Sequence, residues 1–436
     1  MQAAGAVDQK LGAGEEIAPI EGVPFVLKDN IATKDLKTTC ASKMLLNHIP
    51  IYDAFVWEKL KNQNAVLIGK GNMDEFAMGS TGETSYFGCA KNPVNTAHVA
   101  GGSSSGVAAA VAGNLAVFGI GSDTGGSIRQ PASFCGAVGL KPTYGAVSRR
   151  GLIAYASSFD QIGPITTCAE DAALVFDAIC EKDPLDMTSR GSDPISGTLN
   201  ADIAGMRIGV AEAFFEGLRP DIAAAVHTAL EVLQARGAKI VHVGFPMLKY
   251  SLPAYYILAC AEASSNLGRF DGLRFGYRTE HFESLDDFIR QTRSEGFGAE
   301  VRRRLLLGTY VLSSGYYDAY YNKAQQLRET IKAAFAEIFS RCDCLAAPTV
   351  PVTALRRGLR LTPVELYQTD LCTVSANIAG IPAVSIPCGV DNSGLPIGLQ
   401  LMGNRFGERV ILSAALAFER ETSGAYIASP DMGVRL

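Results

Sequence analysis

Short apolar runs recur along the chain, each bounded by turn-forming residues. Gly22-Val23-Pro24-Phe25-Val26-Leu27-Lys28 ends on a lysine and passes into Asp29-Asn30, which predicts a core strand with Lys28 at its exit. A helix capped by Asp53 and running to about Lys61 separates it from a second buried strand over residues 65–69. This β-α-β order favours parallel pairing. Residues 104–112 then suit a helix stopped by Gly113-Asn114, and residues 115–120 a strand that delivers the chain to Ser122-Asp123-Thr124-Gly125-Gly126-Ser127. Alternation resumes with a strand at 206–210, an amphipathic helix at 221–235 closed by Gly237, and a strand at 239–243. Residues 182–200, rich in Pro, Ser, Gly and Asp, predict a surface connection, and 252–339 are helical. Two runs, 383–387 and 397–401, flank the turn-rich Asp391-Asn392-Ser393-Gly394 and predict an antiparallel pair. The expected architecture is α/β with a mixed sheet, without internal repeats.

One stretch departs from this pattern. Residues 92–122 contain no Asp, Glu, Lys or Arg, although charged residues make up 19% of the chain, so the stretch is expected to be buried. It is also rich in serine and glycine. Buried hydroxyls need partners and glycines allow close approach of the backbone, a combination that points to a polar site inside a core. The 436 residues, 47% of them hydrophobic, suffice for a large core. A net charge of −5 gives no footprint for gripping nucleic acid, so any RNA is held by a partner. The ten cysteines include no C-x-x-C pair, only Cys342 and Cys344 as C-x-C, and are expected to be buried thiols. Residues 1–21 carry no secretory leader pattern, and the longest apolar run, 107–120, is broken by Gly113 and Asn114, so no membrane span is expected.

Two familiar motifs fail on context. Gly102-Ser103-Ser104-Ser105-Gly106 fits G-x-S-x-G with Ser104 as nucleophile, but that elbow follows a core strand, whereas residues 92–98 suit a loop. None of His48, His98, His227, His242 and His281 sits in a catalytic setting. A phosphate loop would need Lys-Ser/Thr after Gly106, which is absent. What remains is Gly125-Gly126-Ser127, which can bend so that N–H groups from Thr124 to Ser127 converge as an oxyanion hole beside the Ser127 hydroxyl. Without a histidine, a buried neutral lysine is the other common base, and Lys28 is the best placed. The residues alone leave two alternatives open: Lys28 as a surface lysine paired with Asp29, and Ser127 as a helix cap ahead of Ile128-Arg129.

A resemblance narrows this. Residues 101–109, Gly121 to Pro131, and Gly139-Leu140-Lys141-Pro142-Thr143 resemble the amidase signature family, and residues 22–30 resemble its lysine motif. The resemblance implies an amidase-signature fold, a mixed central sheet covered by helices on both faces, as a single domain over residues 1–436. It implies a Ser-Ser-Lys triad: Lys28 as base, Ser103 after a cis peptide as relay, and Ser127 as the acylated nucleophile. Within the family, Asn72-Met73-Asp74-Glu75-Phe76-Ala77-Met78-Gly79, residues 155–163, Ser294-Glu295-Gly296-Phe297-Gly298 and residues 307–321 resemble the glutaminase subunits of tRNA-dependent amidotransferases. That implies Arg304 and Asp370, with Tyr255 nearby, for the carboxylate and amino group of glutamine, a pairing that suits a free amino acid. It further implies no cofactor in this chain, ATP and Mg²⁺ at a partner subunit, subunits B and C as partners in a heterotrimer, misacylated tRNA held mainly by a partner, and a cytoplasmic or organellar setting. Two departures stand out. Ser105 replaces the family's glycine and is expected to crowd the turn at Ser103, and most of the helical segment that normally precedes the Lys28 strand is missing.

Overall fold

The structure, a computed structural model, describes residues 2–423. Its strands are β1 (Pro24–Lys28), β2 (Val66–Gly71), β3 (Phe118–Asp123), β4 (Val138–Lys141), β5 (Gln161–Thr166), β6 (Arg207–Val210), β7 (Lys239–His242), β8 (Cys344–Pro348), β9 (Ala383–Val390) and β10 (Pro396–Gly403). They form one ten-stranded sheet in the order β2-β1-β3-β5-β4-β9-β10-β8-β6-β7. Each wing is parallel, β2-β1-β3 and β8-β6-β7. The centre, from β3 to β8, is antiparallel throughout. The sheet is therefore mixed, as expected, and the parallel order suggested by the first β-α-β unit is confined to its two wings.

Side chains alternate between the two faces. Phe25 and Leu27 of β1, Phe118 and Ile120 of β3 and Leu399 and Leu401 of β10 share one core with the helices Phe55–Asn62, Ala169–Ile179, Pro220–Ala235 and Glu408–Thr422. On the opposite face Val26 packs with the helices Ser105–Ala112 and Arg129–Cys135, while Leu345, Ala347 and Met402 meet the helices Leu248–Asn266, Ala299–Leu312 and Lys323–Arg341. Both faces are thus covered, which explains how strands as apolar as β1 and β3 stay out of water. At about 25 cal/mol per Å² of apolar surface removed from water, these layers supply the main stabilisation.

Two local expectations change. The third strand ends at Asp123, three residues nearer the site than 115–120 suggested. Asp53 does not cap the helix Phe55–Asn62: its Oδ1 accepts from Lys34 N at 2.6 Å and its Oδ2 pairs with Lys61 at 3.4 Å. The connection at 182–200 lies mostly at the surface, as expected, and is anchored at Asp183, whose buried carboxylate takes Ser148 Oγ at 2.8 Å and Arg150 Nε at 2.8 Å. All ten cysteines are free and nine are buried. No helix among the described residues is long and apolar enough to cross a membrane.

Candidate active site

Strand alternation puts Lys28 on the face of Val26, beneath the two serine-rich loops. Its Nζ lies 2.7 Å from Ser103 Oγ and 3.0 Å from Ser122 O, and it is fully buried, so the surface pairing with Asp29 does not form. Asp29 instead meets Lys70 Nζ at 3.7 Å. Burial strips water from the Lys28 ammonium and pulls its pKa down to about 7, against the carboxylates of Asp74, Asp123 and Asp160, which pull it up.

Ser103 follows a cis Gly102–Ser103 peptide and precedes the helix Ser105–Ala112. Gly102 N donates to Gln130 Oε1 at 2.8 Å, and Ser103 O accepts from Asp74 N at 3.3 Å. The second loop is laced to the first because Ser104 N donates to Ser127 O at 3.1 Å. Lys28 and Ser103 are 0% exposed and Ser127 is 8% exposed, so the serine expected to react lies nearest solvent. No hydrogen bond joins Ser127 Oγ to Ser103 Oγ among the described residues. Ser104, the elbow candidate, is buried with its hydroxyl on Ser122 O at 3.2 Å. Ser105 does not crowd the turn. Its neighbour across the gap is Gly82, whose missing side chain makes room, and its hydroxyl reaches Asn72 O at 3.4 Å.

The oxyanion hole needs one correction. Gly126 N, expected among its donors, donates to Asp123 Oδ1 at 2.8 Å, because a fully buried carboxylate draws every donor within reach. The N–H groups of Thr124, Gly125 and Ser127 stay uncommitted among the described residues. Asp123 also receives Ile128 N at 3.2 Å, Asn377 Nδ2 at 2.8 Å, and a two-pronged contact from Arg129, Nε to Oδ2 and Nη2 to Oδ1, both at 3.0 Å. Burial alone would push the Asp123 carboxyl up; the Arg129 guanidinium reverses this and holds it far below the usual carboxylate range. Ser127 is not a helix cap, since the helix Arg129–Cys135 begins after Ile128. The loop is pressed between two side chains. A Cβ on Gly125 would lie 2.5 Å from Tyr255 Oη, and one on Gly126, at φ +136°, would lie 2.5 Å from Thr373 Oγ1.

From Tyr255 an aromatic cage leads to the two expected charges. Its ring meets that of Tyr256 at 5.1 Å, and Tyr256 Oη donates to Asp370 Oδ2 at 2.7 Å. Asp370 Oδ1 accepts from Ser80 Oγ at 2.9 Å. Burial pushes the Asp370 carboxyl up to about 6, against those two bonds and Arg304, which lower it. Arg304 is buried, with Nε on Glu300 Oε1 at 2.8 Å and Nη1 on Tyr155 Oη at 2.9 Å. Its guanidinium carbon lies 5.7, 5.2 and 5.2 Å from the ring centres of Tyr155, Tyr256 and Tyr367. Nη2 is free among the described residues. Tyr155, Tyr256, Tyr367, Glu300, Ser80, Arg129 and Thr373 belong to this constellation and were not singled out from the sequence. Only Glu300 and Arg304 carried a signal, their four-residue spacing on one helix.

Residues 1–412 match the amidase family. The chain belongs to it. Among curated amidase relatives, it is 53% identical to the A subunit of the glutamyl-tRNA(Gln) amidotransferase of Lachnospira eligens, over 96% of this chain and 88% of that one. The like-named protein of Thermoanaerobacter pseudethanolicus is 52% identical over 96% and 86%. Among solved amidases, the A subunit of the Thermotoga maritima glutamyl-tRNA(Gln) amidotransferase superposes with a TM-score of 0.80 at 42% identity, over 92% of this chain and 83% of that chain. The peptide amidase of Stenotrophomonas maltophilia gives a TM-score of 0.80 at 30% identity, over 97% and 87%.

Proposed function

We infer that the chain is a single amidase domain that hydrolyses glutamine as the glutaminase subunit of a tRNA-dependent amidotransferase. The ammonia serves a partner subunit that amidates Glu-tRNA(Gln) or Asp-tRNA(Asn) with ATP and Mg²⁺, in a heterotrimer that this chain forms with subunits B and C. The observation that carries this reading is the pair of opposite charges, Arg304 and Asp370, buried in one aromatic cage that reaches Gly125 of the nucleophile loop. An amidase for uncharged amides has no use for such a pair, whereas a free amino acid brings both a carboxylate and an ammonium.

In this reading Arg304 Nη2 takes the α-carboxylate, Asp370 the α-ammonium, and the side-chain amide extends past Tyr255 to Ser127. Neutral Lys28 accepts the Ser103 proton along their 2.7 Å contact while still donating to Ser122 O at 3.0 Å. Ser103 in turn takes the proton of Ser127 as Oγ attacks the amide carbon. The N–H groups of Thr124, Gly125 and Ser127 face the developing oxyanion. Collapse breaks the C–N bond, the proton returns to the departing ammonia, and an ester on Ser127 remains. Water attacks that ester by the same proton path and releases glutamate.

The test compares kcat/KM for glutamine and for a simple uncharged amide in wild type, Arg304→Ala and Asp370→Ala, with partner subunits present. Removing either residue leaves a substrate charge unpaired in a desolvated cage, a loss of about 2–5 kcal/mol for glutamine. The uncharged amide should be turned over as before. Equal losses for both substrates would make the two residues structural, and no loss for glutamine would favour a general amidase.

A further inference from the structure

The Gly125–Gly126 peptide is gripped from both ends. Its carbonyl accepts from Thr373 Oγ1 at 2.6 Å and its N–H donates to Asp123 Oδ1 at 2.8 Å. A peptide unit is rigid and planar, so two bonds on opposite sides fix its rotation. Little else in the loop could, because consecutive glycines have the widest choice of backbone conformation. The Asp123 contact alone leaves the plane free to tilt about it.

Thr373 is itself held firmly. It is fully buried, its carbonyl accepts from Arg129 Nη1 at 3.0 Å, and its N–H donates to Asp370 O at 3.0 Å. The hydroxyl has one hydrogen to give. Two carbonyls lie in range, Gly125 O at 2.6 Å and Asp370 O at 3.0 Å, and Asp370 O already receives the Thr373 N–H. The hydrogen therefore belongs to Gly125 O. No side chain at Gly126 intervenes, which lets Thr373 come this close.

The geometry points to Thr373 as a positioning residue for the amide hydrolysis, setting the Gly125–Gly126 plane and with it the aim of the N–H groups of Gly125 and Ser127. This rests on the reading of Ser127 as nucleophile. The same turn of chain carries Asp370, so the site expected for the substrate ammonium and the restraint on the oxyanion loop sit three residues apart on one rigid piece. A glutamine anchored at Asp370 then meets donors registered to its own anchor. Displacements of about 1 Å at such a site cost on the order of 100-fold in rate.

Thr373→Ser and Thr373→Ala differ by the hydroxyl alone and provide the test, measured on the full chain with its partner subunits. Thr373→Ser should stay within about threefold of wild type, and Thr373→Ala should lose roughly 10- to 100-fold in kcat with KM for glutamine little changed. The uncharged amide should suffer the same loss, since the oxyanion loop serves every substrate, in contrast to Arg304→Ala. If Thr373→Ala fails to fold, the isosteric Thr373→Val replaces it. Unchanged kcat in the hydroxyl-free variant, a loss confined to KM, or equal impairment of Thr373→Ser would each overturn the proposal. Ser127→Ala runs alongside: if it remains active the nucleophile reading falls, whereas an inactive Ser127→Ala beside an unimpaired Thr373→Ala sinks the role of Thr373 alone.

Discussion

In the proposed mechanism, loss of water around Lys28 Nζ makes a base of a group that is otherwise protonated at neutral pH, and the sign of the effect can be followed in rate. In that mechanism the neutral form is the competent one, so activity should rise as pH passes about 7. In the same reading Asp370, held at about 6 before substrate binds, must be ionised to receive an ammonium, which should add a second rise at lower pH. The expected kcat/KM profile for glutamine climbs roughly tenfold per unit between pH 6 and 7, up to roughly hundredfold per unit below 6, and is flat just above 7. Lys28→Arg should be nearly inactive across that range, because a guanidinium does not give up its proton. An active Lys28→Arg enzyme, or a profile flat from pH 5 to 8, would count against Lys28 as base. Lys28 was legible as the lysine that ends an apolar run. Which of Ser103, Ser104 and Ser105 faces it came from the family resemblance alone, because three adjacent serines differ locally only in how the backbone turns: Ser103 meets Lys28, Ser104 meets Ser122 O and Ser105 meets Asn72 O.

Among the elements, the seating of the helix Ser105–Ala112 on β3 governs where Ser103 stands. Gly119 of β3 makes that seat: a Cβ there would lie 2.3 Å from Val107 Cγ1, a stiff β-branched side chain with no rotamer to retreat into. Gly119→Ala should lift the helix, costing about 1–3 kcal/mol of stability by overpacking. Thermal denaturation and glutamine hydrolysis should fall together; an unchanged melting temperature would show that the helix yields freely. Strands with turn signals at their ends, β1, β2, β6, β7, β9 and β10, were readable from hydrophobic pattern. β8 was not, since Cys344–Pro348 follows the helix Lys323–Arg341 after only Cys342 and Asp343, with no Gly, Pro or Asn before it to mark a turn. The cage was invisible for a related reason. Tyr155, Tyr256, Arg304 and Tyr367 come from separate stretches, and nothing in their local spacing records that the fold stacks them.

In the whole molecule, Arg129 is the point where distant segments meet. Besides Asp123 it binds Thr373 O at 3.0 Å, Asn377 Oδ1 at 2.6 Å and Gln400 Oε1 at 2.6 Å, joining the nucleophile loop to the helix Val374–Ala379 and to β10. Arg129→Met should lower stability by about 3–5 kcal/mol in a denaturant titration by stranding the Asp123 charge, and adding Asp123→Asn should recover part of the loss. A double variant as unstable as the single one would show that the charge pair is not the cause. The order of the strands has a further consequence, for the chain as it emerges from the ribosome. The hairpin of β9 and β10 is wedged between β4 and β8, and it is the last part of the sheet to be made. Until it arrives, β4 presents a bare edge to the cell and Arg129 lacks its Gln400 partner. At typical synthesis rates that interval lasts roughly a quarter of a minute to a minute after Ser127 has been added. In the proposed reading the growing polypeptide thus carries Lys28, Ser103 and Ser127 through most of its own translation before the final strands close the sheet around them.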